Sequence, residues 1–218
     1  MTARLPHELG DLAAVAQWRA DTGFTGQVPD PQIVVFGSDS PRTEDRPELQ
    51  VLVVEGADLQ IVAAAVCASL MGKDAASITA DEFTEGGRLD HEAWMRTCEQ
   101  TRDAMSGLRE TQSDLPEMLT ELPEAFADCV KAIADLAQQK VPTLLDGPGP
   151  AAAALLASQL NPEVLPWIRP LQAGTTPVER TTWEHLRLPP VLPFKTRLND
   201  GSLAPLAAQV LTLASRLS

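Results

Sequence analysis

Apolar residues spaced three and four apart mark the first segment, where Leu9, Leu12, Val15, Ala16 and Trp18 share one side of a helix that ends near Gly23. After the turn residues Pro29-Asp30-Pro31 the period changes. Ile33-Val-Val-Phe36 is a continuous apolar run of strand formers closed by Gly37, as expected of a buried strand. A loop rich in Ser, Pro and charge covers residues 37–48. A second buried strand, Leu49 to Glu55-Gly56, leads into an Ala-rich helix from Leu59 to Met71 that breaks at Gly72.

Two longer helices are predicted over about 90–110, capped by Asp90, and over 123–140, with Pro123 in the first turn. In the latter, Phe126, Cys129, Val130, Ile133, Leu136 and Ala137 form one stripe, which we read as core packing rather than a partner groove. Val141 to Gly147 is a third strand, followed through Pro148-Gly-Pro by a helix from Ala151 to Leu160. Val164 to Ile168 reads as a fourth. Helices over Val178–Arg187 and Leu203–Leu217 close the chain around a proline-rich stretch with Pro189, Pro190 and Pro193. The alternation predicts one α/β domain over 1–218: three layers, a mostly parallel Rossmann-like sheet flanked by helices, with ligands at the carboxyl ends of the strands.

Charge narrows the partners. The chain of 218 residues carries a net charge of −13; residues 1–150 hold 11 basic and 26 acidic side chains, whereas residues 151–218 hold 6 and 4. Such a field disfavours nucleic acid and anionic lipid, which need Lys and Arg to displace counterions. The milder C-terminal part permits a small anionic ligand. Met1 to Gly10 lacks the basic start and apolar run of a signal peptide, and no run approaches a membrane span of ~20 residues, so a cytoplasmic protein is expected. Cys67, Cys98 and Cys129 are too far apart for a Cys-x-x-Cys motif and read as buried thiols; the four tryptophans, Trp18, Trp94, Trp167 and Trp183, read as core.

Known signatures for phosphate loops, dinucleotide binding, zinc proteases or a serine elbow are absent, and no metal site or cofactor is expected. His7, His91 and His185 read as surface or capping residues. Acids at strand ends are better placed: Asp39 after the first strand, Glu55 ending the second, Asp146 ending the third, and Asp200 before Gly201-Ser202 at a helix entry. For each, capping a helix is the commoner use and acid–base chemistry the rarer one.

Pro142-Thr-Leu-Leu-Asp-Gly-Pro-Gly-Pro-Ala-Ala-Ala-Ala-Leu-Leu-Ala resembles the P-V-L-L-D-G-F strand and Ala-rich helix of the nicotinate-nucleotide:dimethylbenzimidazole phosphoribosyltransferases. The register holds to the C terminus. Gln172-Ala-Gly-Thr-Thr-Pro-Val-Glu stands where the family reads about H-R-S-x-E-P-G-H, and Arg197-Leu-Asn-Asp-Gly-Ser-Leu-Ala where it reads R-L-G-E-G-T-G-A. Upstream, Leu9-Gly-Asp-Leu and Ile33-Val-Val-Phe-Gly-Ser-Asp-Ser are similar to the family's L-G-x-L helix and V-V-F-A-G-D-H-G strand. Glu55 aligns with the Glu of G-E-M-G-I-G-N-T-T, whose small polar end has become Leu59-Gln60-Ile61-Val62. Where the family carries a long additional stretch, this chain has only the loop 37–48, a large deletion.

The resemblance implies transfer of the phosphoribosyl group of nicotinate mononucleotide to dimethylbenzimidazole, giving α-ribazole phosphate for the lower ligand of cobalamin. It places the catalytic base at Asp200, one methylene shorter than the family's Glu, with Glu55 as an accessory acid, and it puts Asp146, Gly147, Gly201 and Ser202 at the substrate. It also implies a nucleotide-type or benzimidazole-type ligand and a homodimer. Leu59, Ile61 and Val62 offer bulk where a phosphate needs free N–H groups and close approach. We therefore expect a catalytically degenerate member, a binding or regulatory subunit linked to cobalamin lower-ligand synthesis. An active minimal transferase is the alternative. Convergence of Glu55, Asp146 and Asp200 on an open cleft favours the enzyme; helix capping beside a filled cleft favours the degenerate form.

Overall fold

The computed structural model describes residues 12–22, 32–36, 51–54, 59–81 and 86–214. Four strands form one sheet: β1 (Gln32–Phe36), β2 (Val51–Val54), β3 (Thr143–Asp146) and β4 (Ile168–Pro170), in the order β2-β1-β3-β4. Every pairing is parallel, with Ile33 opposite Val51 on one side and Leu144 on the other. β4 is an edge strand, which tolerates Pro170 because the missing N–H lies where no ladder bond is needed. The sheet is nonetheless extended past it, since Val191 and Leu192 donate N–H bonds to the Pro170 and Leu171 carbonyls at 2.9 and 3.0 Å.

Side-chain alternation along β3 splits the core into two. Leu145 enters a large cluster shared with α2 (Leu59–Met71), α6 (Glu124–Gln138), α7 (Pro148–Leu160) and α8 (Pro177–Leu186). Its neighbour Leu144 points the other way, into a cluster with α1 (Leu12–Asp21) and α9 (Ala204–Ala214). Helices cover both faces, so the expected three-layer α/β architecture is present. The stripe read as core is buried from Phe126 to Ala137, and Trp18 and Trp183 are buried as well. Trp94 and Trp167 depart from the core reading and are only half-buried.

Helix α7 follows directly from β3. Gly147 is its N-cap, and Pro148 occupies the first helical position, where a missing N–H is harmless and the fixed φ is already helical. The helix thus starts three residues before the expected Ala151. From Pro148 to Ser158 every residue is buried, and the four alanines 151–154 let α2, α6 and α8 approach closely. α2 is likewise buried without interruption from Ala63 to Ser69, and Cys67 Sγ lies 3.3 Å from Thr182 Oγ1 of α8.

The segment Val164–Ile168, expected as a strand, is instead mostly a 3-10 helix over Pro162–Trp167, with β4 starting only at Ile168. Pro162 and Pro166 fix φ near −65°, and the Asn161 side chain accepts from Glu163 N at 3.1 Å, so the apolar run winds rather than extends. Pro123 is the N-cap of α6 rather than part of its first turn. Two short helices lie outside the predicted elements: α3 (Ala75–Ile78), capped by Asp74, and α5 (Leu115–Glu121), capped by Asp114. Between them lies α4 (His91–Gly107), whose N-cap is the expected Asp90, accepting from Ala93 N at 3.0 Å. No helix among the described residues is long and apolar enough to cross a membrane.

Cys67, Cys98 and Cys129 are all free and buried, and burial pushes the Cys67 thiol up to about 12 and Cys129 higher still. A charged maleimide should therefore label none of the three in native buffer and all of them in denaturant, counted by mass spectrometry. Phe126→Ala, which empties a fully buried position, should lower unfolding free energy by about 3–5 kcal/mol in a urea titration.

Candidate functional site

The carboxyl end of β3 delivers Asp146 to the middle of the sheet, opposite Val35 of β1, with 1 % of its surface exposed. Gln172, just past β4, donates from Nε2 to Asp146 Oδ1 at 2.9 Å and to the Leu198 carbonyl at 2.6 Å. Its Oε1 accepts from Thr196 N at 3.1 Å and Thr196 Oγ1 at 2.8 Å, so all four bonds of this amide are made. The second carboxylate oxygen of Asp146 accepts from Gly201 N at 3.1 Å. Two side chains thereby pin the loop 196–201 onto the sheet.

Gly147 and Gly201 are required by the backbone. Gly147 has φ +99°, and a Cβ there would stand 3.1 Å from Asn199 Cβ; Gly201 has φ +72°. Asn199 Oδ1 is buried without a hydrogen-bond partner. Asp200 is half-buried and accepts from Ser202 N at 2.9 Å, closing the turn that enters α9, while Ser202 itself is exposed. Asp146 and Asp200 thus meet at the same loop, but each carboxylate is engaged by its backbone. Glu55 and Asp39 lie outside the described residues.

Gln172 and Glu179 stand where the family carries other residues, and no catalytic motif at those positions marks a role. Glu179 is 1 % exposed and forms a capping box with Thr176: its carboxylate accepts from Thr176 N at 3.0 Å and Thr176 Oγ1 at 2.8 Å, and its own N–H donates to Thr176 Oγ1. The Thr-x-x-Glu spacing carries that signal. Gly174 makes the fit possible, since a Cβ there would fall 2.6 Å from Glu179 Cβ.

The N-termini of α2, α7 and α8 converge on a cavity lined by Gln60, Ala64, Ile78, Thr79, Pro148 and Thr176, among others. Its volume of about 20 Å³ suits a single water, whereas small-molecule sites run to roughly 300–1,000 Å³. Among the described residues, backbone donors are fewer there than three unblocked helix starts would offer. Pro148 and Pro150 remove two N–H groups from the first turn of α7, Pro177 removes one from α8, and the capping box takes another. Leu59, where a phosphate would need close approach, is buried in the core.

A family model described as Phosphoribosyltransferase (DBI_PRT) matches residues 56–218, which hold Asp146, Gly147 and Asp200 to Ser202. The chain belongs to this family. It is 41 % identical over 81 residues to the nicotinate-nucleotide–dimethylbenzimidazole phosphoribosyltransferase of Azotobacter vinelandii, covering 37 % of this chain and 23 % of that protein. With the Corynebacterium glutamicum enzyme of the same name, identity is 30 % over 158 residues, 72 % of this chain and 44 % of the relative. The fold is that of CobT from Thermus thermophilus, with a TM-score of 0.64 at 19 % identity over 98 % of this chain and 57 % of the other. The chain therefore spans less than half the length of these two curated relatives. Among the described residues no group of three His, Cys, Asp or Glu could hold a metal ion.

Burial raises the Asp146 carboxyl to about 7 against the bonds from Gln172 and Gly201, with Glu179 and Asp200 adding repulsion. Its folded value lies above its unfolded value of 3.8, so the native state holds the extra proton between them. Stability is then fully present at and below pH 4 and lost as pH rises through about 7. In urea titrations the contribution lost between pH 4 and pH 8 should approach about 4 kcal/mol, and Asp146→Asn should remove the titration at this position.

Proposed function

We propose that this member of the phosphoribosyltransferase family is catalytically degenerate and serves as a binding or regulatory subunit linked to making the lower ligand of cobalamin. The cavity where α2, α7 and α8 begin carries this reading: among the described residues it measures about 20 Å³ and has prolines at two of its three helix starts, which leaves little room for a mononucleotide phosphate and few backbone donors to hold one. The engagement of Asp146, both of whose oxygens accept hydrogen bonds, supports it further. Asp146 is held by Gln172 and Gly201, and Asp200 closes a turn. A base that must take a proton from a benzimidazole needs a free oxygen in reach of it, and a displacement on the order of 1 Å can lower a rate ~10²-fold.

One observation favours a second reading, an active minimal transferase making α-ribazole phosphate. Asp200 is half-buried, accepts among the described residues the Ser202 N–H alone, and stands beside the Asp146 carboxyl raised to about 7, so a proton could be taken up at this loop near neutral pH. Calorimetric titration with nicotinate mononucleotide, dimethylbenzimidazole and α-ribazole phosphate, followed by an assay for nicotinate release, separates the two. The degenerate reading expects no release from wild type or Asp200→Asn, with stability of the two within about 0.5 kcal/mol, because Asn caps the turn as well as Asp. Turnover by wild type that Asp200→Asn abolishes would establish the transferase instead.

A further inference from the structure

A second cleft, of about 450 Å³, runs along α8 between that helix and the segment 189–195, lined by Arg180, Trp183, Arg187, Leu188, Pro190 and Lys195 among others. We propose that it binds a small organic anion, a carboxylate or phosphate ester on a compact apolar body. The volume lies within the usual range of small-molecule sites, well above that of the cavity at the helix starts. Trp183 and Leu188 are buried and supply apolar surface, and Pro189 and Pro190 form a stiff wall.

The charge of the cleft runs against that of the chain. Three of its residues are cations and one, Glu184, is an acid, in a protein of net charge −13. Arg180 reaches the Thr175 carbonyl, but among the described residues Arg187 and Lys195 have no ion-pair or hydrogen-bond partner for their side chains. Both are exposed at the cleft, free to meet a ligand oxyanion, and the guanidinium fork suits a carboxylate or phosphate in two-point contact. A long polyanion would extend from the cleft over the acidic remainder of the surface, whereas a small anion stays within a Debye length of ~8 Å of the cations. This selects a small ligand over nucleic acid or an acidic protein.

The walls are fixed in advance. Ala173 N donates to the Phe194 carbonyl at 3.0 Å, and Val191 N and Leu192 N bond to the strand exit, so the 189–195 wall is held against the edge of the sheet. At the helix end, Arg187 occupies a left-handed conformation with φ 56°, its N–H bonding back to Glu184 and Trp183. Helices commonly close that way on glycine, which takes the conformation without strain, so folding alone does not call for arginine there. The left-handed turn brings a long cation to the cleft mouth.

That geometry also supplies a clean variant. Arg187→Gly removes the cation while relieving the backbone, so the protein should fold at least as well, read as an unchanged or higher urea midpoint. The full chain is titrated with phenyl phosphate, benzoate and inorganic phosphate by calorimetry and by amide NMR shifts. Phenyl phosphate or benzoate should saturate with shifts centred on Ala173, Arg187, Leu188 and Val191, and which of the two binds tighter tells phosphate from carboxylate. Affinity should fall about tenfold in Arg187→Gly and again in Lys195→Met. Inorganic phosphate binding as tightly as phenyl phosphate would overturn the apolar half of the proposal. The whole of it fails if no shifts occur at these residues up to about 10 mM probe, or if folded Arg187→Gly binds as wild type does. Neither result depends on Asp200 or on nicotinate release.

Discussion

A helix with no solvent-facing side dictates most of this structure. From Pro148 to Ser158 helix α7 is enclosed by α2, α6 and α8 and lies against the sheet, and from Ala151 to Ala157 every residue is Ala or Leu. Such a helix cannot exist as a surface amphipath; it forms only when neighbours cover every side. Small side chains bring those neighbours within close packing distance, and among the described residues close packing leaves only about 20 Å³ between the three helix starts at the carboxyl side of β3. The same contact that stabilises the fold therefore narrows, among the described residues, the place beside β3 where an open α/β sheet usually receives a ligand.

Next to this helix, Asp146 acts as a fastener rather than a free acid. Its two oxygens hold Gln172 and Gly201, residues 26 and 55 positions away, and so secure the loop that carries Asp200. Gln172 has every donor and acceptor satisfied, which makes the arrangement rigid. The carboxyl is nevertheless raised, because removal from water outweighs two bonds that favour its charge. A chemically suggestive group can thus arise from structural demand alone.

Charge is divided along the same lines. The first 150 residues hold most of the acids, while the C-terminal part uses two of its four, Glu179 and Asp200, on its own backbone. Those two are spent internally, so exposed cations dominate the outer side of α8 and the segment after it. A local positive surface on an acidic protein comes from which acids the backbone has already claimed.

Much of the fold was legible in local sequence. Helices α2 and α4 begin within a residue of where Leu59 and Asp90 predict them, and the β-formers of β1 and β3 mark their strands, because periodicity and capping act over a few neighbours. The 3-10 helix at Pro162–Trp167 was missed, since an apolar run reads alike whether it winds or extends. Of the candidate site, sequence pointed to Asp146, Gly147 and Asp200 to Ser202, and Thr-x-x-Glu marks a cap. It could not supply what those groups touch. The Gln172 bridge, the Asn199 approach to Gly147, the small cavity and the cationic cleft join residues distant in the chain, and only packing in three dimensions decides whether a carboxylate meets solvent, a ligand or a backbone N–H.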